Sequence, residues 1–467
     1  MHINDRELLF AFISVLFAAN EGIMIVMKFG GTSVESREAI QRVAGIVCAR
    51  LERKPVVVVS AMGKTTNKLL AIAGAAVRGE REAALSQLEE LRAFHLCESI
   101  GVETEIELHF TELGELVRGL AVMGEMTPRA VDAVSSFGER ISSIIAAEIF
   151  RRCGVNATHL DSRQFIVTDA RHTQAAPLFE ETNRRLAAIP KMPGVVVMGG
   201  FIGSTTDGVT TTLGRGGSDY TAAIVGAGIG AEEIQIWTDV DGMLTADPTL
   251  LPGGYRVKTC SFAEAAELAY FGAKVLHPAT VLPAIEKNIP VRILNSRRPE
   301  VEGTLILAEA PACSSAIRSI ACKRNITLLN VVSTRMLMAH GFLRRIFDVF
   351  DRFETPVDML ATSEVSVSLT IDNTRALDAI RAELEKFAQV TVEEDQAIVC
   401  LVGDHIRASP GVAARVFGAI PQINVRMISQ GASLLNISFV VAAADLEQAV
   451  ESLHKEFFSN PDPAAFE

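Results

Sequence analysis

The first segment that could do chemistry is Lys28-Phe-Gly-Gly-Thr-Ser-Val34, which follows an apolar run and precedes a helix-like stretch. Paired glycines let backbone N–H groups approach a phosphate closely, and a helix N-terminus favours negative charge. Lys28 adds a full positive charge. The alternative interpretation is a glycine-rich turn with a solvated lysine. The spacing differs from that of a Walker A loop, so a P-loop enzyme is disfavoured.

A second glycine-rich segment, Thr210-Thr-Thr-Leu-Gly-Arg-Gly-Gly-Ser-Asp-Tyr220, follows Gly199-Gly-Phe-Ile-Gly203 and opens a predicted helix at Ser218 or Asp219. Its amides could form another anion-binding nest, and Arg215 could hold a carboxylate through a bidentate guanidinium. Asp219 lies where an aspartate commonly caps a helix, so N-capping is its alternative role.

A third segment ends a strand-like run with Thr238-Asp239, and turn residues follow at Asp241 and Asp247. Open α/β folds bind ligands at the carboxyl ends of their strands. We therefore expect the Thr238 hydroxyl and the Asp239 carboxylate to face a ligand. Turn chemistry alone explains Asp241-Gly and Asp247-Pro.

Two further segments place charges in helix-forming regions. Glu139 and Arg140 are neighbours in Ser136-Phe-Gly-Glu-Arg-Ile141, where a surface ion pair is the simpler interpretation. Small residues around them would let a ligand approach. Lys274 lies in Phe271-Gly-Ala-Lys-Val-Leu-His-Pro278, which by itself indicates a helix end before a proline.

The elements that must position these groups alternate between strands and helices. The predicted strands are Ile23–Phe29, Pro55–Ser60, Gly194–Met198, Glu233–Thr238 and Val291–Leu294. The predicted helices include Ser36–Arg53, Arg81–Ile100, Ala130–Cys153 and Asp219–Ala227. Several strands are too apolar for a sheet with one solvated face. The pattern predicts an α/β fold whose mainly parallel sheet carries helices on both faces.

Past Pro311 the chain repeats a small α+β unit at an offset of 68 to 70 residues. The parts of the first copy are Gly341–Phe347, Val357–Leu360, Val365–Ile371 and a helix near Thr374–Phe387. The parts of the second are Gly411–Phe417, Val425–Ser429, Leu434–Val440 and a helix near Ala444–Phe457.

Composition narrows the class of protein. A chain of 467 residues predicts at least two domains, and a net charge of −12 without a basic cluster argues against nucleic-acid binding. Seven dispersed cysteines predict reduced thiols in a cytoplasm. Leu8–Ala19 is shorter than the roughly 20 residues that span a bilayer and lacks the positive flank of a signal peptide. Residues 1–23 are expected to be an extension or a misassigned start.

Together the segments resemble the aspartokinases of the amino-acid kinase superfamily, especially lysine-sensitive monofunctional members. The matching strings, in family order beyond residue 23, are KFGGTSV, SFGER, GFIGST, TTTLGRGGSDYTAA, TDVDG, SFAEAAELAYFGAKVLHPAT and TSEVSVSLT. The resemblance implies a three-layer amino-acid kinase fold over residues 24–312. It implies two ferredoxin-like ACT domains within residues 313–467, at about 325–393 and 394–460. The implied reaction transfers the ATP γ-phosphate to the aspartate side chain, giving 4-phospho-L-aspartate, the first step towards lysine, threonine and methionine.

The resemblance also implies residue roles. Lys28 and Asp219 would organise phosphoryl transfer. The positions that match aspartate binding are Thr66, Glu139, Arg215 and Ser218, with Glu139 facing the α-ammonium and Arg215 the α-carboxylate. The positions that match nucleotide binding are Lys28, Gly30, Gly31, Thr238, Asp239, Lys274 and Val275. Leu244 and Thr249 replace a tyrosine and an arginine frequent in relatives, so ATP affinity is the property expected to differ.

In the first repeated unit, a lysine-binding constellation of the family matches Met336, Gly341, Phe342, Leu343, Asp358, Thr362, Ser363 and Glu364. Asp358 and Glu364 suit cationic groups, the alternative being surface acids of an α+β sheet. Feedback inhibition by lysine is expected, with threonine or combined control left open. Family ACT sheets pair between chains, so a homodimer or homotetramer is implied.

The implied chemistry fits these residues. An aspartate carboxylate, with a pKa of about 3.9, is ionised at neutral pH and needs no general base. Repulsion between two anions is the obstacle, so catalysis should rest on Lys28, Lys274, backbone amides and Mg²⁺ carried by the ATP phosphates. The alternatives are a superfamily kinase acting on glutamate, carbamate or UMP, and a non-catalytic amino-acid-binding regulator. A fused homoserine dehydrogenase is not expected, because the chain ends at Glu467.

Overall fold

The structure is a computed structural model that describes residues 24–272, 278–311, 316–333 and 340–467. These residues form two compact units. The first comprises the described parts of Met1–Gly242 and Leu276–Ala308, and the second those of Met243–Val275 and Glu309–Glu467. Residues 243–272 therefore group with the C-terminal part of the chain, while the predicted boundary at residue 312 stays a prediction.

The elements are as follows. The strands are β1 (Ile25–Phe29), β2 (Pro55–Val59), β3 (Ala157–Leu160), β4 (Val195–Gly199), β5 (Ile202–Ser204), β6 (Thr210–Thr212), β7 (Glu233–Thr238), β8 (Thr259–Ser261), β9 (Val291–Asn295), β10 (Thr304–Leu307), β11 (Ser319–Val332), β12 (Leu360–Thr362), β13 (Ser366–Ile371), β14 (Gln389–Val402), β15 (Met427–Gln430) and β16 (Asn436–Ala442). The α-helices are α1 (Arg37–Cys48), α2 (Thr65–Val77), α3 (Arg81–Glu98), α4 (Glu103–Met123), α5 (Pro128–Ser135), α6 (Phe137–Arg152), α7 (Phe179–Leu186), α8 (Gly217–Ile229), α9 (Phe262–Tyr270), α10 (Leu282–Glu286), α11 (Phe342–Arg352), α12 (Leu377–Glu385), α13 (Val412–Gly418) and α14 (Leu446–Phe458).

The first unit is built on a sheet with the strand order β3-β4-β2-β1-β7-β9-β10. All neighbouring pairs are parallel except β9 and β10. Both β1 and β2 are buried along their whole length, which explains their unbroken apolar runs. The parallel strands bring their carboxyl ends to one edge of the sheet, where ligand sites of open α/β folds lie.

Helices cover both faces of this sheet. Ile25, Met27 and Phe29 pack into a core cluster with apolar residues of α1, α2, α3, α4 and α6. On the opposite face, the side chain of Val26 lies 3.7 Å from the position that a Cβ on Gly226 of α8 would take. The predicted α/β class with a mainly parallel sheet is confirmed.

Two predicted helices differ from the structure. Ala130–Cys153 is not one helix but α5 and α6, which meet at Ser136. Ser36–Arg53 contains α1 and then a separate 3₁₀ turn at Leu51–Arg53. The first difference matters for function, because it starts a new helix directly before Glu139.

The second unit contains an antiparallel sheet with the strand order β12-β13-β11-β14-β16-β15. Helices α11 to α14 alternate with these antiparallel strands, so the ACT-type α+β prediction is confirmed. The predicted strand Val357–Leu360 begins later, at Leu360. Thr370 still exchanges backbone hydrogen bonds with Asp358 and Met359, so the pairing continues in an irregular form.

Within the described ranges, no helix combines the length and the apolar character needed to cross a membrane. The apolar segment Leu8–Ala19 lies outside those ranges.

Candidate active site

A cleft of about 250 Å³ opens at the carboxyl edge of the sheet in the first unit. Five predicted site residues line it, namely Lys28, Thr66, Glu139, Ser218 and Asp219. The other lining residues are Ser60, Phe201, Gly214, Gly216 and Gly217. The structure therefore brings residues from β1, α2, α6 and α8 to one place, although they are up to 191 positions apart in the sequence.

The centre of this cleft is an ion pair between Lys28 of β1 and Asp219 of α8. Lys28 Nζ lies 2.6 Å from Asp219 Oδ1, and the two side chains are 11% and 15% exposed. The N-cap of α8 is Gly216, without a side-chain capping bond, so the capping interpretation of Asp219 is wrong. Asp219 instead keeps an ammonium group at the cleft surface, where an entering anion could bind it.

The paired glycines after Lys28 form a tightly packed turn. A Cβ on Gly31 would lie 2.8 Å from the carbonyl oxygen of Gly63 and 2.9 Å from that of Ala61. Gly30 N–H donates to the carbonyl of Trp237 over 3.1 Å, so this amide already has a hydrogen-bond partner at the edge of the sheet. Close packing is thus one reason for glycine here, besides any approach of a phosphate.

Glu139 is a buried carboxylate, 4% exposed, in the first turn of α6. Its Oε1 accepts a hydrogen bond from Ala61 N–H at 3.1 Å, while Oε2 has no hydrogen-bond partner among the residues described. Arg140 pairs with Glu112 instead. The surface-pair interpretation of Glu139 and Arg140 is therefore wrong.

Burial dominates the acidity of this group. Removal from water raises the pKa of Glu139 to about 8, and hydrogen bonds from backbone N–H groups and the nearby Lys28 charge oppose that rise. A buried carboxyl group with one free oxygen, facing a cleft, is suited to ionise when a cationic group enters. The small residue Gly138 permits this position, since a Cβ there would lie 2.7 Å from Ala61 Cβ.

Other predicted site residues lie outside the cleft lining. Arg215 is exposed on the loop between β6 and α8 and has no ion pair within the described part of the chain. Thr238 ends β7 and Asp239 follows it, next to the end of β1, with Thr238 Oγ1 donating to Asp239 Oδ1 at 3.2 Å. Lys274 and Val275 fall outside the described residues.

The two positions expected to differ from relatives, Leu244 and Thr249, belong to the second unit. Thr249 Oγ1 donates to Asp247 Oδ1 over 2.7 Å, which completes a local turn.

Sequence reasoning missed several residues. Ser60 and Phe201 line the cleft, and the fully buried Asp132 binds Thr212, the last residue of β6 before the loop that carries Arg215. Ser60 ends a predicted strand and Phe201 lies inside a quoted motif, so both could have been found. Asp132 carried no comparable signal.

The described effector positions lie in the first of the two predicted ACT domains, at about residues 325–393. Gly341, with φ +78°, precedes α11; Phe342 is buried in the unit's core, and Leu343 is exposed. Asp358 is an ion-paired acid, 5% exposed, 2.6 Å from Lys323 Nζ. The alternative of a surface acid is therefore wrong for Asp358.

The remaining effector positions surround the turn after β12. Thr362 ends that strand, Ser363 Oγ lies 2.6 Å from Ser366 Oγ, and Glu364 is exposed. Met336 falls outside the described residues.

Sequence comparison places most of the chain in known families. Residues 24–295 match the amino acid kinase family, and residues 399–457 match the ACT domain. Aspartokinase 1, chloroplastic, of Arabidopsis thaliana is 41% identical over 95% of this chain and 81% of its own length. Lysine-sensitive aspartokinase 3 of Escherichia coli K12 is 39% identical over 93% of this chain and 99% of its own.

Solved structures give the same answer for the fold. E. coli aspartokinase III in complex with aspartate and ADP, described as the R-state, matches with a TM-score of 0.79 and 38% identity, over 93% of this chain and all of that one. The T-state of the same protein, in complex with lysine and aspartate, matches with a TM-score of 0.80 and 37% identity, over 93% and 99%. The predicted resemblance is confirmed: the chain is a kinase and belongs to the aspartokinase family.

Proposed function

We propose that the cleft around Lys28, Glu139 and Asp219 transfers the ATP γ-phosphate to the side-chain carboxylate of L-aspartate. The observation that carries this proposal is the juxtaposition of an ion-paired lysine with a buried, half-satisfied carboxylate in one cleft. Lys28 offers a charge for the phosphate, and Glu139 offers one for the α-ammonium of an amino acid.

The residues would act by positioning and neutralisation. Aspartate's side-chain carboxylate is already ionised, so the step needs no base, and the main barrier is repulsion from the triphosphate. Lys28 would leave Asp219 in part to bind the transferred phosphoryl oxygens, whose charge spreads in the transition state. Gly216, Gly217 and Ser218 open α8 towards the cleft, where the positive end of the helix favours anions.

The orientation of aspartate would come from its two α-groups. Glu139 would bind the ammonium, Arg215 would close over the α-carboxylate, and Thr66 would border the bound amino acid. Thr238, Asp239, Lys274 and Val275 would hold the nucleotide beyond Lys28, Gly30 and Gly31. Mg²⁺ would arrive on the ATP phosphates and neutralise part of their charge, and the partly exposed Asp219 carboxylate could face it.

The second unit would sense lysine. One similar protein is named lysine-sensitive, and one similar structure contains lysine. In this chain Asp358 already binds an ammonium group, that of Lys323, so the site suits a cation chemically. Lysine would inhibit by binding one arrangement of the protein better than another. Assembly of two or four copies through the ACT units, in the cytoplasm, completes the proposal.

A substrate panel tests the proposal. ATP consumption should depend on aspartate and should not be supported by glutamate, carbamate or UMP. Millimolar lysine should lower the aspartate-dependent rate, and threonine in a parallel assay should identify the effector. ATP consumption with another acceptor would sink the substrate assignment, whereas an unchanged rate in lysine would sink only the assigned regulation.

A further inference from the structure

Asp132 is a buried carboxylate that the catalytic proposal does not use. It lies on α5 and is completely inaccessible to solvent. Its Oδ1 accepts from Thr212 Oγ1 at 2.5 Å and from Thr173 N–H at 3.0 Å. Its Oδ2 lies 2.7 Å from His172 Nδ1 and 3.1 Å from Thr173 N. Such a fully bonded buried acid holds several chain segments in fixed positions.

Two hydrogen-bond partners of Asp132, Thr212 and Thr173, lie beside the loop that follows β6. Thr212 is the last residue of β6, and its carbonyl accepts from Ala175 N–H at 3.0 Å. Thr173 has a left-handed φ of +71°, and its carbonyl oxygen lies 3.0 Å from the place a Cβ on Gly214 would occupy. Asp132 therefore fixes both sides of the turn that leads into Gly214.

That turn carries the cleft residues Gly214, Gly216 and Gly217 together with Arg215. Both Gly214 and Gly216 have positive φ, at +77° and +70°, so the path of the loop is defined by two left-handed residues. Arg215 lies three residues beyond Thr212, the last residue of β6, so the position of Thr212 defines where this loop begins.

Asp132 also contacts the residue directly before α6, the helix that carries Glu139. The Asp132 carbonyl accepts from Ser136 N–H at 3.0 Å, at the junction where α5 ends and α6 begins. Glu139 lies three residues beyond that junction, in the first turn of α6. Asp132 thus connects α6, which carries Glu139, to the loop that carries Arg215.

We propose that Asp132 is a positioning residue for the amino-acid substrate, which sets the spacing between Glu139 and the Arg215 loop. The inference rests on the proposed function, because it assigns the α-ammonium and α-carboxylate of aspartate to those two groups. Disturbing Asp132 should weaken aspartate binding selectively, while the nucleotide positions after β7 keep their geometry. A purely structural role would lower stability without this selectivity.

The most conservative test removes one hydrogen bond at a time. Thr212→Val deletes the hydroxyl that Asp132 accepts from and keeps the side-chain shape. Thr211→Val is its matched control, because Thr211 is the preceding residue of the same strand, is equally buried, and bonds to Thr168 Oγ1 at 2.7 Å instead. Asp132→Asn is the stronger variant, since its amide must face one of the donors.

We expect Thr212→Val to raise KM for aspartate by about tenfold, because binding must then order the Arg215 side chain on a less firmly held loop. KM for ATP should stay the same, and Thr211→Val should alter neither constant. In an Arg215→Ala background the effect of Thr212→Val should disappear, because residues acting through one group are not additive. Equal changes in both KM values, or equal effects of Thr211→Val and Thr212→Val, would overturn the inference.

Calorimetric titration of aspartate without ATP separates this inference from the proposed function. A wild-type protein that binds aspartate without phosphorylating it would sink the proposed reaction only, and weaker binding by Thr212→Val would still support the role of Asp132. Identical aspartate affinities in wild type and Thr212→Val, or no aspartate binding at all, would overturn that role.

Discussion

Each unit of the molecule contains a lysine–aspartate pair with an N–O distance of 2.6 Å. The Lys28 side chain is 11% exposed and that of Lys323 is 21% exposed, and the two pairs also differ in their neighbouring charges. Lys28 has one carboxylate partner, Asp219, within the part of the chain that the structure describes. Lys323 has two, because Asp372 Oδ2 also lies 2.8 Å away. The first pair is neutral, whereas the second group of three charges has a net negative charge.

This difference indicates which ligand each site can accept. In the cleft, an entering phosphate can compete with one carboxylate for Lys28 while backbone dipoles assist. In the second unit, an entering ammonium group could bind Asp358 beside Lys323 or displace Lys323 from it. Lys323 would then keep its second partner, the carboxylate of Asp372. In the proposed function, Lys28 would bind an anion, whereas Lys323 would compete with a cation for Asp358.

The largest expected effect distinguishes the two lysines directly. Lys28→Ala should lower kcat by about 10³-fold or more, because it removes the charge that faces the transferred phosphate. Lys323→Met serves as the control, since it removes a partly buried, ion-paired lysine from the other unit and should keep most turnover. An aspartate-dependent rate near that of wild type in Lys28→Ala would remove the proposed contrast.

A second change tests the buried acid of the cleft. Glu139→Gln should raise KM for aspartate by about 10²-fold, because a buried ammonium would lose its charged partner. KM for ATP should change little. Steady-state kinetics with either substrate varied provides the measurement, and a parallel loss of ATP affinity would assign Glu139 to the nucleotide instead.

The pH dependence of aspartate binding sharpens the same assignment. Burial raises the pKa of Glu139 to about 8, so at neutral pH the free protein holds this group mostly protonated. An ammonium ligand favours the carboxylate, so aspartate affinity should increase as pH rises from 7 towards 8.5, with proton release on binding. Calorimetry in buffers of different ionisation enthalpy detects that proton, and pH-independent affinity would contradict the assignment.

The free energy of unfolding should fall with rising pH, whereas the affinity for aspartate should rise. Because the folded pKa of Glu139 is raised, the native state binds more protons than the unfolded state between about pH 4.3 and 8. The contribution of Glu139 to the free energy of unfolding therefore favours the folded state at low pH and is lost as pH rises through about 8. Glu139→Gln should flatten this part of the Tm–pH curve, and identical curves for both proteins would show that the carboxyl titrates normally.

The smallest expected effects concern the regulatory pair. Asp358→Asn should weaken inhibition by lysine about tenfold, through loss of a charged hydrogen-bond acceptor. Lys323→Met should strengthen inhibition a few-fold, since the internal ammonium no longer competes for Asp358. Dose–response curves of the aspartate-dependent rate in lysine measure both, and weaker inhibition in Lys323→Met would make Lys323 part of the lysine site instead.

The first unit was predictable where local composition decides structure. The strands β1 and β2 are mostly apolar runs rich in β-branched residues, and their alternation with helices along the chain predicts a parallel sheet. The division of Ala130–Cys153 at Ser136 was missed, because Ser136 itself has helical dihedral angles and α6 begins directly after it.

The functional site was predictable only where glycines and charges occur together. Lys28 and Asp219 belong to such segments, so both were found. Glu139 next to Arg140 is typical of a surface, and its burial depends on Ala61 and Gly138 packing closely. Asp132 has partners 40, 41 and 80 residues away, so no local pattern could reveal its role.

The most direct test of the central claim is to trap the product of the cleft. Wild-type protein incubated with ATP, Mg²⁺, aspartate and hydroxylamine should form aspartyl hydroxamate, which reports an acyl phosphate, while the Lys28→Ala variant should form almost none. A wild-type protein that binds both ATP and aspartate yet yields no hydroxamate would contradict the claim that this cleft brings the two anions together to react.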